Sequence, residues 1–237
     1  MTSRIMKITR MTFAELYNSQ ILICAGVLLL HVLISMAVIK LANTPGPAGV
    51  GDGIVLVTVP ILTIVFFSPS FKYMLSQGIS RKTYFLATSL DIVLLAAVMA
   101  VMIIIFYIIN LKIANVWMIY KLTYHNENLL SILAWEFAAL FFLGMLGWFT
   151  RLVYYVSNRT TKYIVSIAPF VLAALFVLFN ALVDGRMGRA IWEFLKTVMG
   201  FSYVNPAPYI GMASMLLVAV ILGGPVFLLL RRAQIND

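Results

Sequence analysis

Six continuous apolar runs of about twenty residues divide this 237-residue chain, and they leave very few folds open to it. A run such as residues 21–41 covers about 31 Å as a helix, close to the thickness of a bilayer's hydrocarbon core. Inside hydrocarbon every backbone amide has to be paired within the protein, which leaves helices or a closed barrel. Barrel strands alternate apolar and polar residues. These runs do not alternate, so the expected fold is an all-α integral membrane protein. Composition agrees: 63% of residues are hydrophobic and 11% charged, against about 45–50% and about 25% in soluble domains. A soluble domain of this length cannot enclose that much apolar surface.

The expected spans are residues 21–41, 53–71, 85–110, 132–149, 163–183 and 209–230, within one transmembrane domain over 1–237. The second is the weakest, because Pro60 interrupts it and Ser68-Pro69 predicts its end. Ahead of the first span, Arg4, Lys7 and Arg10 interleave with Ile5, Ile8, Met11 and Phe13. That pattern suits an amphipathic segment over residues 1–20 lying in the headgroups. No small-x-small cleavage site follows, so the first run reads as a span and not a cleaved signal. The single cysteine, Cys24, falls in that run and is expected to be a small buried hydrophobe.

Orientation follows from the basic residues. With the N-terminus inside, Arg4, Lys7, Arg10, Lys72, Arg81, Lys82, Arg151, Arg159, Lys162, Arg231 and Arg232 share one side. Lys40, Lys112, Lys121, Arg186, Arg189 and Lys196 share the other. The richer side marks the cytoplasm and holds both termini. Without span two, Lys72, Arg81 and Lys82 would change sides and erase the excess. The formal net charge of +9 is therefore an orientation signal spread over short loops, and not a nucleic-acid surface.

Two connections are more than linkers. Phe71, Met74, Leu75, Gly78 and Ile79 share one helical face just after span two. Gly78 is expected to close that helix and Ser80 to cap the next, ahead of Arg81 and Lys82. Such a helix either rests on lipid or docks in a groove of a soluble partner. On the outer side, Met187, Ile191, Phe194, Leu195 and Val198 form an apolar stripe, with Arg186, Arg189, Glu193 and Lys196 on another. This predicts an outer amphipathic helix that rests in the headgroups or caps a pathway. Trp117, Tyr120 and Tyr124 suit the membrane interface.

Three ionisable groups fall within spans: His31, Asp91 and Glu136. Burial makes such groups functional candidates, against the plainer role of a satisfied interhelical hydrogen bond. No nucleotide-binding Gly-x4-Gly-Lys loop, His-Glu-x-x-His or Gly-x-Ser-x-Gly motif occurs. His125 and Glu127 are too few for a metal site. The chain is expected to be no enzyme by itself, with no catalytic, cofactor or metal residues.

The stretch Phe71-Lys72-Tyr73-Met74-Leu75-Ser76-Gln77-Gly78-Ile79-Ser80-Arg81-Lys82-Thr83-Tyr84-Phe85 is similar to the Gly-x-Ser-Arg-x-x-Tyr/Phe pattern common after span two in small permeases of Gram-positive bacteria. With its six spans, amphipathic start and outer helix, the chain resembles the permease subunits of bacterial ABC-2-type ATP-binding-cassette exporters. The resemblance implies a half-transporter in the bacterial plasma membrane. It would pair with a second permease subunit, identical or related, and with two cytoplasmic ATPase subunits that carry ATP and Mg. Phe71, Met74, Leu75, Gly78, Ile79, Ser80, Arg81 and Lys82 would then form the helix that couples to the ATPase. Its expected signature is that Arg81→Glu, or loss of Met74 and Leu75, uncouples hydrolysis from transport. The sizeable loop between spans three and four departs from the family's pattern. Two other functions suit the sequence: a non-transporting partner such as an immunity or sensor-associated subunit, and a secondary transporter.

Overall fold

The computed structural model describes residues 52–113, 118–125, 128–201 and 206–233, together with helical residues 22, 23, 25–27, 29, 30 and 33. The expected amphipathic segment 1–20 and most of the first span, with Cys24 and His31, lie outside the described residues, as do Trp117 and Glu127. The described chain is all-helical and contains no strand. Its helices are α1 (Gly53–Ser76), α2 (Arg81–Ile113), α3 (Ile119–Tyr124), α4 (Leu129–Val156), α5 (Arg159–Leu182), α6 (Arg186–Met199) and α7 (Pro208–Arg232). Five of them are long and apolar enough to cross a membrane: α1, α2, α4, α5 and α7. They match expected spans two to six in order and extend beyond them at most ends.

α4 is the central helix, packing against α1, α2 and α7. Small residues let these backbones approach, as in membrane bundles generally. A Cβ at Gly144 would meet Ile92, and one at Gly147 would meet Pro60 and Thr63. Two apolar clusters stack along the bundle. One holds Val55, Val59, Met99, Ile103, Ile132, Trp135 and Met215. The other holds Phe67, Phe71, Met74, Tyr84, Trp148, Leu152, Val226 and Leu230. By contrast, no residue of α5 is buried, and its apolar side chains face outward on all sides. Only lipid or another protein makes a suitable solvent for such a helix.

The expected end at Ser68-Pro69 does not occur. Helical backbone runs through residues 68 and 69 to Ser76, so the face at 71–75 is the last part of α1 and not a separate helix. A proline inside a helix costs one hydrogen bond and a local kink. The burial of Phe71 and Met74 against Tyr84 and Trp148 holds the continuation in place.

The turn that follows is set by local chemistry. Gly78 takes φ 72°, where glycine is unstrained. The Gly78 amide donates to the Leu75 carbonyl at 3.0 Å and the Ile79 amide to the Met74 carbonyl at 3.2 Å. This paired closure satisfies the last carbonyls of α1. Two residues later the Thr83 amide donates to Ser80 Oγ at 3.2 Å, capping α2. Helices α1 and α2 are thereby folded back on each other, with Ser70 Oγ and Tyr84 Oη 3.0 Å apart across the hairpin.

Candidate functional site

At the opposite end of the bundle from that turn, two carboxyl groups meet. Asp52 stands directly before α1, where an aspartate ordinarily accepts an amide of its own helix. It makes no such cap. Instead Asp52 Oδ2 accepts the Ile119 amide, the first of α3, at 2.8 Å. Glu136, on the third turn of α4, brings its carboxyl within hydrogen-bonding reach of Asp52. Asp52 is 2% exposed and Glu136 0%.

Four oxygens therefore share one dry corner. Three of them, Asp52 Oδ1 and both oxygens of Glu136, have no hydrogen-bond donor among the described residues. Among the described residues, no basic side chain acts on either carboxyl. Burial pushes the Asp52 carboxyl above its usual range, against the pull of Glu136 and the Ile119 amide in the other direction.

An aromatic cluster on α3 and α4 adjoins Ile119 and Glu136 in the chain. Tyr120, Tyr124 and Trp135 pack with ring centroids 5.2 to 6.4 Å apart, and Phe201 adds to Tyr124 at 5.6 Å. Tyr124 Oη donates to the Met199 carbonyl at 2.6 Å, tying α3 to the end of α6. Lys121 Nζ donates to Tyr107 Oη at 3.0 Å, tying α3 to α2. Tyr120 and Tyr124 were expected at the membrane interface; both are buried. Tyr124→Phe removes the α3–α6 tie and is expected to cost about 1–2 kcal/mol, read as a lower thermal midpoint in detergent. An unchanged midpoint would place the α3–α6 contact outside the folded core.

No family model, curated protein or solved structure matches this chain.

The other sequence-predicted residues fall elsewhere. Asp91 is 1% exposed in the first half of α2, near the turn end, and is not brought to Glu136. Phe71 and Met74 are buried, and Leu75 and Ile79 are partly buried against the same cluster. Arg81 donates from Nη1 to the Arg231 carbonyl at the end of α7. Gly78, Ser80 and Lys82 are exposed at the turn, with Lys72, Tyr73 and Gln77 beside them. On α6, Met187, Ile191, Phe194 and Leu195 are exposed and Val198 partly so, while Glu193 and Lys196 pair at 2.8 Å. The residue the sequence reading missed is Asp52. Its signal was scarcity: it is the one acidic residue between Glu15 and Asp91 in a chain with eight acids.

Proposed function

We propose that this chain is the membrane-spanning subunit of an ATP-driven exporter of the ABC-2 type, working in a bacterial plasma membrane with a second permease subunit and separate ATPase subunits. The observation that supports this most is the α1–α2 turn. It is a short knob, braced from inside by Phe71, Met74 and Tyr84 and from the side by the Arg81–Arg231 contact. A rigid knob transmits a push into α1, α2 and α7 together. Its outward surface is polar and basic, through Lys72, Gln77, Ser80 and Lys82. A matching partner surface is acidic, and rim charges of this kind govern encounter and orientation.

This changes which variants report on coupling. Met74 is core, and Arg81 holds the end of α7, so changes at either perturb the fold itself. Lys82 and Lys72 are exposed and can be reversed without that cost. Lys72→Glu with Lys82→Glu is expected to weaken ATPase association by roughly 1–2 kcal/mol, around tenfold in Kd, with the thermal midpoint of the isolated chain unchanged. Isolation of the chain in native lipid from its own host, with no nucleotide-hydrolysing partner attached, would sink the exporter reading. The buried Asp52–Glu136 pair favours a second reading, a secondary transporter. Uptake or efflux driven by an ion gradient in ATP-free proteoliposomes would select it.

A further inference from the structure

Asp52 and Glu136 pose a problem of hydrogen-bond supply, independent of whether an ATPase joins this chain. If both groups are ionised, two negative charges touch in an apolar corner, and among the described residues Asp52 has only backbone amides, chiefly that of Ile119, while Glu136 has no donor at all. Two carboxylates in contact cannot both stay ionised without a countercharge. A single proton resolves the problem, because it turns one acid into a donor toward the other. A divalent cation fits poorly, since it needs about six oxygens and no group of three or more acidic, His or Cys side chains forms among the described residues.

Among the described residues, the groups around the pair supply no positive charge to it, and the buried Tyr120 hydroxyl and Trp135 indole N–H are not bonded to either carboxyl. α3 presents Tyr120, Lys121 and Tyr124, with the Lys121 ammonium on Tyr107 of α2 and the Tyr124 hydroxyl on Met199. α7 carries no charged residue before Arg231, at the far end of the bundle. On α2, Asp91 lies sixteen residues from Tyr107, about 24 Å along the helix. On α4, Trp135 carries no charge, and Arg151 lies fifteen residues beyond Glu136.

We propose that Asp52 and Glu136 form a proton-binding site in which Glu136 carries the proton and donates it to Asp52. The asymmetry comes from the backbone. Asp52 Oδ2 already takes the Ile119 amide, which supports a negative charge there, while Glu136 has no donor of its own. The site joins α1, α3 and α4 at one point, so loss of its proton sets like charges against each other where three elements meet.

The test uses the full chain in nanodiscs and infrared difference spectroscopy of the protonated-carboxyl carbonyl stretch. The expected result is one such band in the wild type at neutral pH, shifted by deuterium and by carbon-13 labelling of glutamate, and lost on alkaline titration. Glu136→Gln is expected to abolish the band, and Asp52→Asn to move its frequency by changing the acceptor. Circular dichroism checks that each variant is folded. If a variant does not fold, the glutamate label in the wild type carries the test alone. Absence of a glutamate-labelled band at neutral pH overturns the proposal, as does a band unaffected by either folded variant. Loss of the band on adding sodium at fixed pH overturns it too, by making the site one for a metal cation.

Discussion

Gly147→Ala is expected to lower the thermal midpoint more than alanine at the other two glycines of a three-position series. A Cβ at Gly147 would lie 2.6 Å from the Pro60 carbonyl oxygen and 3.0 Å from Pro60 Cα, and would also strike the Thr63 hydroxyl. The obstacle is the backbone of α1 at a buried turn, where Thr63 Oγ1 donates to the same Pro60 carbonyl at 2.8 Å. The Thr63 hydroxyl can rotate away but the Pro60 backbone cannot, so α1 and α4 must separate. Overpacking of this kind costs about 1–3 kcal/mol. At Gly144 the added carbon would meet Ile92 Cγ2, at 2.8 Å, a branch methyl of a buried side chain and not backbone, so the clash is real but smaller. At Gly224 nothing among the described residues lies within 4 Å, and alanine there is expected to be neutral or mildly stabilising through helix propensity. The order to be measured by thermal unfolding in detergent is therefore Gly147 worst, Gly144 intermediate and Gly224 harmless. Equal midpoints for the Gly147 and Gly224 variants would mean that α1 and α4 do not cross there.

That series shows where sequence reading stops. The five long apolar helices were legible because hydropathy over twenty residues needs no knowledge of neighbours. The α1–α2 turn was legible because Gly78 and Ser80 act through amides only a few residues away. The amphipathic α6 was legible for the same local reason. What the sequence withheld was which face meets which. A glycine in a span has several uses, and nothing local tells Gly147, pressed on Pro60, from Gly224, which meets none of the described residues. The apolar face at Phe71 and Met74 suited lipid, a partner or the core equally well, and only the packing of Tyr84, Trp148 and Leu230 turns it inward. α5 and α4 read alike as apolar runs, yet one is buried along its length and the other nowhere. The meeting of Asp52 and Glu136 joins positions far apart in the chain and left no periodic trace.

The pair makes stability depend on pH, and the sign can be worked out. With one proton shared by the pair as proposed, the folded chain retains a proton that ordinary, separated carboxyls of the unfolded chain release, so folding takes up a proton in that range. Stability contributed by the site is fully present below the ordinary carboxylate values and is lost as pH rises through the pair's own titration. Across that window the slope is about 1.4 kcal/mol per pH unit for one proton. Because the two acids titrate as a unit, the slope belongs to the pair and not to either residue. Glu136→Gln replaces the bound proton with a permanent amide donor of nearly the same size, which can reach Asp52 Oδ1. The variant is expected to match the wild type in mild acid, to flatten the profile, and to exceed the wild type in alkali. Glu136→Ala removes the donor and opens a void beside a buried Asp52, so it is expected to be weaker at every pH. A plain structural hydrogen bond would predict parallel curves for Glu136→Gln and wild type. Convergence in acid with divergence in alkali is the pattern that only a titrating pair produces.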